Sequence, residues 1–177
     1  MKTEKKVVSN LNKCYSISEL TYQGEHCFLV AAEKHDPCLL FSEDGTQLDT
    51  VWTEPGGVMT MTQVPGTDGQ FLATHQFYSP NDSANAKIVI VTPKRKGNWE
   101  IRTLCCAPFV HRFGILHRAG HNYLIACCLK TGHEYKEDWR FKGACFGAEL
   151  PSDLSAFDEG HQLELTLIKD GLLKNHG

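Results

Sequence analysis

Apolar residues along the chain come in short runs, β-branched or aromatic in character, cut apart by Gly, Pro, Asn, Asp and Ser. No window of eleven or more residues carries a 3.6-residue period, so long amphipathic helices are not expected. The runs predict twelve strands, at 15–22, 27–33, 38–42 and 48–53, then 58–64, 71–78, 87–92 and 99–104, then 110–117, 123–130, 143–149 and 162–169. Apolar and polar residues alternate from Trp99 to Arg102 and again from Leu163 to Leu167, as a half-buried strand requires. The stretch 122–129 is apolar almost throughout and predicts a strand covered on both faces. The one helical candidate is a turn or two around Ser152, Asp153, Leu154 and Ser155, with Pro151 suited to its start.

Consecutive strands in groups of four suggest repetition. The expected fold class is all-β: a partial β-propeller, with blades at about 14–54, 58–106 and 110–170 and the start of a fourth over 171–177. The steps from Val58 to Val110 and from Val110 to Leu173 exceed the ~40–45 residues of a compact blade, and long connections at 78–86, 131–142 and 151–161 account for the excess. A propeller closes with about four to eight blades. The remaining blades are therefore expected from a longer chain, favoured because 171–177 leads into a first strand, or from a second copy making a six-bladed ring. An open sandwich or barrel is the other architecture that the strand pattern allows.

Composition narrows the function classes. A net charge of −3 and a pI near 6.3 do not suggest a nucleic-acid partner, and the basic run Lys94, Arg95 and Lys96 reads as a solvated hairpin tip before Gly97. The start is charged and lacks an apolar signal region, and no apolar run approaches the ~20 residues of a membrane span, so a cytoplasmic protein without a membrane partner is expected. None of the 8 cysteines sits at a CxxC spacing. In a strand, neighbouring residues face opposite ways, so the adjacent pairs Cys105, Cys106 and Cys127, Cys128 each predict one inward and one outward thiol. Most of the thiols read as small buried hydrophobes.

In a propeller the lead-ins to the innermost strands and the loops between second and third strands share one face. His75, His111, His133 and His176 fall at such places, and His111 and His176 occupy equivalent junctions, so the fold is expected to bring these two together. Imidazole ligates Zn, Mn and Fe and serves as a base near neutral pH. The connection 130–141 is too long for a tight hairpin and packs Lys130, His133, Tyr135, Asp138, Trp139 and Arg140 into one segment. Trp139 offers a face for a sugar ring, with Tyr135 beside it in the same loop, and Asp138 and Arg140 offer hydrogen bonds to hydroxyls.

At His111 and Arg112, at His133 with the Trp139 loop, and at Asn175, His176 and Gly177, the sequence resembles the propeller part of the aldos-2-ulose dehydratase-like, FG-GAP-related proteins. The resemblance covers roughly residues 50–177. It implies a seven-bladed propeller and a divalent metal, held by histidines, that assists β-elimination from a keto-sugar. The Asp-rich calcium loops of FG-GAP repeats are absent, and Asp44 with Gly45 and Asp68 with Gly69 are turn dipeptides only. Two functions follow as expectations. The first is a metal-assisted lyase or isomerase acting on a sugar. In it His75, His111, His133 and His176 would supply ligands, His133 doubling as a base, with one Zn, Mn or Fe ion. Arg112 or Lys130 would steady an oxyanion, and Tyr135, Asp138, Trp139 and Arg140 would hold the substrate. The second is a non-catalytic module that binds a protein or glycan and needs no cofactor. Ser-His-Asp, P-loop and GxGxxG patterns are absent, which argues against hydrolase, NTPase and dinucleotide readings.

Overall fold

The computed structural model describes residues 3–95 and 97–177. Met1, Lys2 and Lys96, the last at the expected basic hairpin tip, lie outside the described residues. Three antiparallel sheets follow one another, each taking its four strands in chain order. The first contains β1 (Cys14–Tyr22), β2 (Glu25–Ala32), β3 (Cys38–Ser42) and β4 (Gln47–Trp52). The second contains β5 (Met61–Gln63), β6 (Phe71–His75), β7 (Lys87–Arg95) and β8 (Asn98–Cys106). The third contains β9 (Val110–Arg118), β10 (His121–Cys128), β11 (Gly143–Leu150) and β12 (Thr166–Leu172). Two hairpins close through paired left-handed residues, Gln23 and Gly24 at φ 55° and 74° and Ala119 and Gly120 at 52° and 85°. That geometry matches the right-handed twist of the flanking strands.

The period of two decides how the sheets stack. In the middle sheet, Phe71, Ala73, Val89 and Val91 point to a core shared with Leu20, Leu29, Leu40 and Val51 of the first sheet. The alternate residues Leu72, Ile88 and Ile90 point the other way, to Phe113, Leu124 and Ala126 of the third. Burying side chains of this size on both faces stabilises by roughly 1.5–3 kcal/mol each, which fixes both register and stacking. The doubly covered strand is thus β7, not β10. In β10, Leu124, Ala126 and Cys128 are buried while Tyr123, Ile125 and Cys127 are half-exposed, because no described residue packs a further sheet on that face. Leu116 and Ile168 stand more than half exposed on the same third sheet. The first sheet also has an outward side, where Ile17 is 70% exposed. The segment 3–13 lies against its rim, with Lys6 Nζ donating to the Asp44 carbonyl at 2.8 Å.

Other departures from the sequence pattern have local causes. The strand expected from Val58 begins only at Met61, because the Thr74 hydroxyl accepts the Met59 and Thr60 amides at 2.6 and 3.1 Å in place of a ladder carbonyl. β6 stops at His75, where Gln76 turns left-handed at φ 64°. The last strand starts at Thr166 instead of Gln162. Residues 162–165 turn to the second sheet, the Leu163 amide donating to Leu104 O at 2.8 Å and Gln162 Oε1 accepting the Cys106 amide at 2.8 Å. In place of the expected helix at Ser152–Ser155 there is a bend at Ser152 and a single turn after it, with Asp153 Oδ1 accepting the Ser155 amide at 2.8 Å and the Phe157 amide donating to Leu154 O at 3.2 Å. No helix runs through the described residues, and none is long and apolar enough to cross a membrane. Of the cysteines, Cys105 and Cys128 face inward and Cys106 and Cys127 do not, as strand alternation requires, while Cys14 is exposed and Cys145 half-buried.

Candidate functional site

The first strands of the three sheets converge. Gln63 of β5 exchanges hydrogen bonds with the backbone of Thr21 in β1, and the Thr60 hydroxyl donates to the His111 carbonyl of β9 at 3.3 Å. Tyr15 and His111 are each the second residue of their strands, and here they meet, with the Tyr15 hydroxyl 3.3 Å from His111 Nε2. His111 Nδ1 is 3.2 Å from the His176 carbonyl oxygen. A carbonyl can only accept, so Nδ1 carries the proton, and the Nε2 lone pair accepts the Tyr15 O–H. The His176 backbone therefore assigns the tautomer of His111.

Packing holds this arrangement. The His111 ring is met edge-on by Phe77 at 5.2 Å and by the His176 ring at 4.9 Å. Burial holds the His111 pKa below its ordinary value, the His176 carbonyl opposes that shift, and the adjacent Arg112 charge reinforces it. The Arg112 guanidinium donates to Met59 O at 2.7 Å and lies 5.4 Å from the centre of the Tyr15 ring. Its other terminal nitrogen is 3.5 Å from the Tyr15 oxygen. A phenol, a neutral imidazole and a fixed cation thus stand in one row. Loss of the phenolic proton to Nε2 leaves an oxyanion beside Arg112, a geometry suited to acid–base work.

Tyr15 was not among the residues expected at a site. Its signal was positional, since it holds in the first sheet the place that His111 holds in the third.

The 130–141 loop is built around its own charges. Lys130 is fully buried and donates to Asn81 Oδ1 and Asp138 O, each at 3.1 Å, between the rings of Phe109 and Trp139 at 5.0 and 4.8 Å. Burial lowers its pKa and Asp138 works against that. Asp138 is also buried and accepts the Glu134 and Arg140 amides and both arms of the Arg140 side chain, which hold its carboxyl far below the usual range. Arg140 also pairs with Glu134 at 2.6 Å and lies over Tyr135 and Phe141. The Lys174 ammonium also lies over the Trp139 ring, 5.0 Å from its centre. The hydrogen-bonding capacity of Lys130, Asp138 and Arg140 is thus largely spent within the loop and on Asn81, and Tyr135 is its most exposed aromatic ring.

The four histidines separate. His111 and His176 stand side by side, whereas His133 packs edge-on against Phe109 at 5.3 Å, with its buried Nδ1 unpartnered. His75 lies against Trp52 at 4.8 Å, at a cavity of about 270 Å³ lined also by Lys87, Thr103 and Glu159. Among the described residues no three His, Cys, Asp or Glu side chains converge as metal ligands would. Of the four histidines expected to hold an ion, only His111 and His176 lie together, and His75 and His133 stand apart from them and from each other.

Burial, with a contribution from Lys87, pushes the His75 pKa down to about 3. The unfolded chain then binds a proton between the ordinary pKa near 6.5 and that value while the folded chain does not. Stability from this site is complete above the higher value and is lost as the pH falls, with a slope of up to about 1.4 kcal/mol per pH unit. Denaturant titrations across that range should show this slope in the native protein and its loss in His75→Gln.

No protein-family model matches the chain, and no curated protein matches it. Residue roles therefore rest on the geometry of these side chains. The larger hollows lie elsewhere: one of about 630 Å³ bordered by Thr67, Arg102 and Asp153, one of about 550 Å³ on the uncovered face of the third sheet, and one of about 450 Å³ bordered by Tyr22, His26 and Asp49.

Proposed function

We propose that this chain is part of a proton-transferring lyase or isomerase whose substrate is a hydroxy-carbonyl compound of the keto-sugar class. The observation that carries this reading is the contact of Tyr15 with both His111 Nε2 and Arg112, with the His111 tautomer assigned from the other side by the His176 carbonyl. The Tyr15 proton passes to Nε2, and the phenolate, steadied by Arg112, takes the proton from the carbon next to the substrate carbonyl. The electron pair moves into an enolate. In elimination, the β-hydroxyl leaves as water with the proton held on His111. In isomerisation, the hydroxyl proton on the deprotonated carbon moves to the former carbonyl oxygen, the former carbonyl carbon takes the abstracted proton back from Tyr15, and the phenolate recovers its own proton from His111. Neutral His111, favoured by burial, is the form that can accept the proton.

In the same proposal the three sheets are successive blades of a propeller-like ring. Further blades, from a longer chain or a second copy, would cover the exposed faces of the first and third sheets and surround the cluster.

The test is nuclear magnetic resonance of keto-sugars incubated with the protein in deuterated water. Deuterium entering next to the carbonyl, or loss of water from the sugar, is expected, with both abolished in His111→Asn. Activity should survive a chelator. Loss that Zn, Mn or Fe restores would return the metal-assisted route. Keto-sugar binding without exchange in the native protein would overturn the catalytic reading in favour of a binding module.

A further inference from the structure

We infer that Cys127 and Cys145 form an oxidisable dithiol, closed by a peroxide into a disulfide between β10 and β11. The two residues are directly opposed in the antiparallel ladder, with Arg112 opposite Cys127 on one side and Lys169 opposite Cys145 on the other. Opposed residues in such a ladder hold their Cα atoms ~4.5–5.5 Å apart, inside the ~4.4–6.8 Å that a disulfide spans. Both thiols are free and half-buried. By contrast Cys105 and Cys128 are buried, with their pKa values pushed up to about 12, and Cys38 is buried with its thiol pushed up as well.

Burial, and then the Cys127 thiol beside it, raises the Cys145 pKa, so the pair rests as thiols and reacts faster as the pH rises. One thiolate attacks the O–O bond of hydrogen peroxide, forming a sulfenic acid and releasing the first water. The second thiol displaces the sulfenic oxygen as the second water, so two thiols are oxidised and one peroxide is reduced.

The pair sits against the segment that carries His176. A Cβ placed on Gly177 would be 3.8 Å from Cys127 Cβ and 2.7 Å from Arg112 Cβ. The disulfide also closes the chain around the Lys130 loop, which limits the unfolded state and stabilises the fold.

Native protein and Cys145→Ser are treated with hydrogen peroxide at mildly alkaline pH, the remaining thiols are alkylated, and the peptides are read by mass spectrometry. The native protein should yield a peptide pair joined through Cys127 and Cys145 and lacking two hydrogens. The melting temperature should rise by roughly 5–10 °C. Cys145→Ser, melting like the reduced native protein, should show neither change, and its Cys127 should be trapped by dimedone as sulfenic acid. The inference is overturned if Cys127 and Cys145 are both recovered alkylated under conditions that oxidise the exposed Cys14 and Cys106, or if Cys127 pairs elsewhere.

Discussion

Tyr15→Phe should lower turnover of a keto-sugar by roughly 10²–10⁴-fold while leaving the melting temperature close to that of the native protein. The substitution removes one hydroxyl from a ring that is 42% exposed, so little buried contact is lost. The ring stays beneath the Arg112 guanidinium and beside His111. Only the atom that exchanges a proton with Nε2 disappears, so the effect should fall on kcat more than on KM. The pH profile separates this from a packing effect. In the native protein the acid limb should lie below the ordinary imidazole value, because burial keeps His111 neutral to lower pH. In Tyr15→Phe the residual rate should lose that limb. An unchanged kcat in the variant would remove Tyr15 from the chemistry and the proposal with it.

Lys130→Ala should cost about 2–5 kcal/mol of stability, the range for emptying a buried aliphatic site, with two neutral acceptors also left without their donor. Two forces act on Lys130, and their balance sets how much it contributes to stability. Removing its ammonium from water costs several kcal/mol. Against that stand two 3.1 Å hydrogen bonds, to Asn81 Oδ1 and Asp138 O, and the faces of Phe109 and Trp139. A hydrogen bond to a charged group contributes about 1.5–3 kcal/mol, and a desolvated cation over an aromatic ring up to about 2. Lys130→Met keeps the apolar stem and should cost about 2–3 kcal/mol, mostly from acceptors left without a donor. Equilibrium denaturation of both variants measures the difference. If both lie within about 1 kcal/mol of the native protein, the loop does not depend on its buried cation. The Asn81 contact also ties this loop to the 76–86 connection of the second sheet. Lys34 grips the same connection from the first sheet through the Tyr78 carbonyl.

The residues of the 130–141 loop show where sequence reading meets its limit. A run of Lys, Glu, Asp, Trp and Arg looks the same whether its charges face a ligand or each other. Asp138 accepts four hydrogen bonds from its own loop, and this depends on the turn bringing the Glu134 and Arg140 amides to one carboxylate. Spacing along the chain does not reveal that turn. The four histidines make the same point. The matching junctions of His111 and His176 placed them together in advance. His75 and His133 were separated by packing against Trp52 and Phe109, contacts that join residues distant in sequence.

The alternation of apolar and polar residues, with Gly and Pro between the runs, determined the all-β class, the number of strands and their grouping in fours. These are local properties, since a period of two commits each side chain to a face wherever the strand ends up. Tertiary structure decided the rest. It buried both faces of β7 and left one face of β10 open, because coverage depends on which sheet comes to lie alongside. It drew residues 162–165 to the second sheet, where backbone groups of β8 offered partners. It also set Tyr15 against His111, two residues at matching positions in their sheets that meet because the first strands of the three sheets converge.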